Sequence, residues 1–97
     1  MYTLDMTTDD LLAEVDRRTA VELSEADLAP LLEEAELVRR DQTGIAGSIR
    51  TLRLGKRVLV QERNQEGRHF VRGLPSEDAA RRFVEARLAA YERMWDG

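Results

Sequence analysis

The chain of 97 residues has no cysteine, two prolines, a single histidine and only five aromatic residues. Without cysteine there is no disulfide framework, no thiolate nucleophile and no thiolate metal site, and so small a domain without such staples fits a reducing compartment. The cytoplasm is therefore the expected location. Long apolar runs are missing too, since nothing approaches the roughly 18–20 residues of a membrane-crossing helix. The opening MYTLDMTTDD has neither the basic nor the apolar region of a signal peptide, so no membrane contact is expected.

Catalytic devices are equally scarce. Neither a Walker loop nor a GxGxxG is present, which removes the usual means of cradling a nucleotide. His69 has no cysteine and no second histidine beside it, so a zinc site would depend on carboxylates alone, and it reads as a strand histidine without chemistry. The carboxylate pairs Asp10 with Glu14 and Glu33 with Glu36 read as solvated helix faces. Ser24, Ser48 and Ser76 all have turn or capping explanations. No catalytic, cofactor-binding or metal-ligating residue is assigned, and the chain is not read as an enzyme.

What the chain does have is charge, unevenly divided. The net charge is −4, but residues 1–46 hold twelve acids against four arginines, and residues 47–97 hold eleven basic residues against seven acids. Such asymmetry points either to an anionic partner or to two halves of one domain attracting each other. A chain of this length rarely holds two cores, so both parts belong to one domain, 1–97.

Capping chemistry and periodicity predict the elements. Thr7 or Thr8 followed by Asp9 and Asp10 begins a first helix with Leu11, Leu12 and Val15 as its apolar stripe. Residues 19–23 (TAVEL) alternate as a short strand or an extended link. Pro30 sets the start of the second helix near Asp27 or Leu28. Leu28, Leu31, Leu32, Ala35 and Val38 lie on one face, and Arg39 and Arg40 stand at its end. Gly44 and Gly47 have the GxxG spacing of a KH loop, yet they lead from a helix into a strand without a basic residue and read as a helix stop. Residues 48–54, 57–63 and 68–72 predict three short strands joined by Gly55-Lys56 and Asn64–Gly67. Ser76 caps a last helix with Ala80, Phe83, Val84, Leu88, Tyr91 and Trp95 as its stripe.

The expected fold is α+β: two N-terminal helices, a three-stranded antiparallel meander and a C-terminal helix, with helices on one face of the sheet and the other face left free. Residues 48–94, with the strand-turn-Ser76-Glu77-Asp78-Ala79 entry to the last helix, resemble the sheet-plus-helix architecture of AP2-type and integrase arm-type DNA-binding domains. That resemblance implies a sheet entering the major groove, with Arg50, Arg57, Arg63, Arg68 and Arg72 as the nucleic-acid candidates. Tyr91, Met94 and Trp95 suggest a different surface, because large aromatic side chains near a chain end need burial and often carry interface energy. The leading expectation is a non-catalytic, regulatory or adaptor-like protein-interaction domain. It is expected to self-associate through an exposed sheet edge, the last helix, or both, and to use no cofactor. The alternative is nucleic-acid binding through the arginine-rich sheet and helix.

Overall fold

The computed structural model describes residues 8–44 and 47–96, without the side chains of Thr8, Met94, Trp95 and Asp96. The expected cap at Thr7 or Thr8 and the expected anchors Met94 and Trp95 therefore lie outside the described residues and side chains. The elements follow in the order α1 (Thr8–Arg17), β1 (Val21–Leu23), α2 (Glu25–Glu34), β2 (Glu36–Gln42), β3 (Ser48–Leu54), β4 (Arg57–Arg63), β5 (His69–Leu74) and α3 (Glu77–Asp96). The strands lie side by side as β1-β5-β4-β3-β2, each antiparallel to its neighbour. The α+β class stands, and the expected meander is the middle of a five-stranded sheet.

Local chemistry explains the central hairpins. Gly55-Lys56 turns β3 into β4 with Leu54 opposite Arg57. The Asn64 side-chain oxygen accepts the Glu66 and Arg68 amides, closing the next turn. Ser76 caps α3 by accepting the Ala79 amide at 3.0 Å.

The second helix is shorter than its apolar stripe predicts. Ser24 accepts the Asp27 amide at 3.2 Å, so α2 starts at Glu25 and holds Pro30 inside, where proline forfeits one backbone hydrogen bond. Ala35 is already extended at φ −86° and ψ 148°, and residues 36–42 pair with β3. A helix running on to Arg40 would leave the outer edge of β3 unpaired; the strand satisfies it, and Gly44 at φ 90° helps reverse the chain. Gly44 thus belongs to a hairpin loop and not to a helix stop. TAVEL resolves as β1, with Val21 and Leu23 buried and Glu22 exposed.

Both faces of the sheet are covered, which corrects the expected free face. Leu11, Val15, Leu28 and Leu31 from α1 and α2 pack on Leu52, Leu59 and Val71. On the opposite side Ala80 and Val84 of α3 pack on Ile49, Val58 and Val60. Residues 58–62 of β4 are all buried, so the alternation of Val58 and Val60 against Leu59 reflects two cores instead of one core and one wet face.

Gly73 lets α1 come close. A Cβ there would stand 2.7 Å from Val15 Cγ1, too close unless the Val15 side chain or the helix that carries it gives way. Gly73→Ala should lower the urea midpoint, at a cost of about 1–3 kcal/mol for overpacking. An unchanged midpoint would mean that α1 does not rest on β5 there.

Candidate interaction surface

The register places the five candidate arginines in different surroundings. Arg57 donates to both carboxylate oxygens of Asp16, at 2.8 and 3.1 Å. Arg68 holds Glu22 in the same way at 2.8 and 2.7 Å. Arg72 lies over the Phe83 ring, 5.0 Å from its centroid. Arg50 donates to the Gln61 side-chain oxygen at 3.2 Å, and Arg63 has no hydrogen-bond or ion-pair partner among the described residues. Arg53, outside that set, bridges Glu36 at 2.7 Å and Glu77 at 2.8 Å. Asp16, Glu22 and Glu36 come from the acidic part and their arginines from the basic part, so much of the charge asymmetry is neutralised inside the domain.

These pairs leave a signature in acid. Hydrogen bonds from Arg57 and Arg68 hold the Asp16 and Glu22 carboxyls below their usual range. A carboxyl depressed in the folded state takes up its proton more readily when unfolded. Its stabilisation is therefore complete above the ordinary carboxylate range near about pH 4 and is lost as the pH falls below that range through the depressed folded-state value. Thermal melts along the acid limb should fall more steeply for the wild type than for Asp16→Asn combined with Glu22→Gln. Equal slopes would mean that the two pairs are not populated in solution.

Tyr91, expected at an interface, packs beside the α3-side core and donates its hydroxyl to Glu62. Burial, then the Glu62 carboxylate, pushes its phenol above the usual value. It is accordingly a neutral donor at neutral pH. Among the described residues no helix is long and apolar enough to cross a membrane, and no group of three or more histidine or acidic side chains could hold a metal ion.

The surface with the clearest unmet potential is the β2 edge, which holds none of the partner-binding or nucleic-acid candidates named from the sequence. β2 is seven residues long, pairs only with β3 and ends the sheet. Among the described residues its neighbouring Leu37 and Val38 are the large hydrophobics left exposed, at 53% and 42%. Leu37 stands opposite Leu52, which stands opposite Leu59, so it extends a buried apolar row out to the sheet's rim. The register shifts between Leu37 and Arg39. A bulge at this point turns Val38 toward an adjoining groove of about 450 Å³ beside the first turn of α3. Arg39, Arg81, Glu77 and Asp78 line that groove, so it carries both signs of charge. The one sequence signal for this edge is Val38, a β-branched residue beyond a proline-containing helix and just before a glycine-bearing turn.

No protein-family model, curated protein or solved structure matches this chain.

Proposed function

We propose that the protein is a non-catalytic interaction domain that self-associates by pairing the β2 edges of two copies into one continuous antiparallel sheet. The observation that carries this reading is the unpaired seven-residue edge with Leu37 and Val38 exposed at consecutive positions, one toward each face of the sheet. A second copy fits it by charge. Antiparallel pairing centred on Val38 lays the exposed Val38 of one copy against that of the other, and the two-signed groove meets its own complement. The opposite edge, β1, has only three residues, so pairing through β2 closes as a dimer without propagating. Internal neutralisation of Arg53, Arg57 and Arg68 takes three cations away from the surface a nucleic acid would need, which supports a protein partner. The lack of cysteine supports placing the domain in a reducing compartment such as the cytoplasm.

Light scattering during gel filtration tests the reading. The wild type should elute with the mass of a dimer, while Val38→Lys and Leu37→Lys, with unchanged circular dichroism, should elute as monomers. A wild-type monomer at high concentration, or a dimer indifferent to both substitutions, would remove β2 as the contact.

A further inference from the structure

On the face that carries α1 and α2, α2 leaves part of the sheet uncovered, forming a cleft of about 280 Å³ between itself and strands β2 to β5. Strand register crowds positive charge into it. Arg40 stands directly opposite Arg50, and Arg63 stands opposite Ser48 on one side and His69 on the other. Like charges placed opposite each other in a sheet repel, and neither Arg40 nor Arg63 has an ion-pair partner among the described residues. Among the described residues that arrangement is offset only by the Gln61 oxygen that Arg50 meets and by Glu25 at the edge of the cleft.

A hydrogen-bond relay shows which way the cleft's polar groups face. Arginine can only donate, so the atom of Gln61 that meets Arg50 Nη1 at 3.2 Å is its oxygen. The amide nitrogen of Gln61 then donates to His69 Nδ1 at 3.1 Å. With Nδ1 accepting, the neutral imidazole carries its hydrogen on Nε2. Nε2 is buried without a hydrogen-bond partner, on a histidine only 6% exposed. Glu25 Oε1 is 3.8 Å away, too far for a hydrogen bond, and belongs to a side chain that is otherwise in solvent. The cleft thus presents three guanidinium groups and one orphaned ring N–H. Its opposite wall, from α2, holds Leu28, Ala29 and Leu32, with Glu25 at the rim.

We propose that this cleft binds a compact phosphate monoester. The dianionic head is held by Arg50, Arg63, Arg40 and the His69 Nε2–H, and a small apolar body rests against Leu28 and Leu32. Planar guanidinium forks match phosphate oxygens. An oxyanion between Arg40 and Arg50 would turn their repulsion into shared attraction. The Glu25 carboxylate at the rim marks where an acceptor oxygen approaches His69, and it competes for that place. Arg50, Arg63 and His69 lie on inner strands and Arg40 alone belongs to β2, so the site keeps three of its four groups whether or not β2 pairs.

The test is a two-dimensional NMR titration of the full chain with phenyl phosphate and, separately, with inorganic phosphate at low ionic strength. Saturable shifts should gather at Ser48, Arg50, Arg63 and His69, with phenyl phosphate the tighter ligand. Arg63→Gln should weaken it about tenfold, as expected for one charge-assisted hydrogen bond. Glu25→Gln should tighten it, and Arg93→Gln, on the exposed side of α3, should leave it unchanged. Loss of saturation, or equal effects of Arg63→Gln and Arg93→Gln, would overturn the proposal. So would displacement of phenyl phosphate by a short single-stranded DNA at far lower concentration, which would assign the cleft to a phosphodiester backbone. His69→Gln tests the relay, and if that variant fails to fold, the exposed Arg63 still decides the matter.

Discussion

Leu59→Ala and Val60→Ala, substitutions at neighbouring positions, are each expected to destabilise the domain substantially. In an antiparallel strand their side chains point to opposite faces, yet both are 1% exposed. Leu59 lies in the core under α1 and α2, and Val60 in the core under α3. Truncating a buried leucine should cost about 3 kcal/mol and a buried valine about 2 kcal/mol, each made up of lost transfer energy and a cavity. A domain of this size has only about 5–15 kcal/mol in total, so the pair together should bring it near the threshold of folding. Urea unfolding of both single variants separates a sheet covered on two faces from a sheet with one wet face. A cost below about 0.5 kcal/mol at either position, the level of an ordinary surface change, would mean that face is open.

Arg87→Met should have the next largest effect. Glu62 points toward α3 with only 4% of its surface exposed, and Arg87 Nη2 donates to both of its oxygens at 2.9 and 2.7 Å. Removing the guanidinium strands a buried carboxylate with only the Tyr91 hydroxyl as donor. Breaking a fully buried pair costs about 3–5 kcal/mol, and because the Arg87 side chain is 39% exposed, water can relieve part of that. A loss of about 2–3 kcal/mol is therefore expected. Glu62→Leu combined with Arg87→Met should recover most of it, because apolar packing then replaces both charges. A double-mutant cycle in which the two changes simply add would show that the ion pair contributes no coupling.

The parts of this fold that were legible in the sequence are those decided locally. Gly55-Lys56, Asn64–Gly67 and Ser76 announce two hairpin turns and a helix cap through short-range chemistry, and the stripes of α1 and α3 follow the helical period. β2 was not legible, because Leu28, Leu31, Ala35 and Val38 happen to share a helical face. The choice between helix and strand for residues 36–42 is made by hydrogen bonds to β3, across the hairpin loop. The covered second face was hidden for a related reason: Leu59 alternates with arginines and glutamine, and only the position of α1 and α2 reveals that it is core. The arginine-lined cleft was half visible. Arg50 and Arg63 stand out by charge, whereas their company with His69 depends on strand register, which composition does not encode. A histidine without metal-ligand neighbours in the chain looks inert until Gln61 fixes its tautomer.

Amide hydrogen exchange of β2, compared between dilute and concentrated protein, tests the proposed self-association most directly. In a lone copy the β2 amides that point away from β3 face solvent, and in a paired edge they donate to a second strand. Pairing predicts that these amides become protected as concentration rises, while α3 and the inner strands stay unchanged, and that Val38→Lys abolishes the gain. Protection of β2 that is independent of concentration, or a concentration effect confined to α3, would contradict the β2 edge as the surface by which this domain associates.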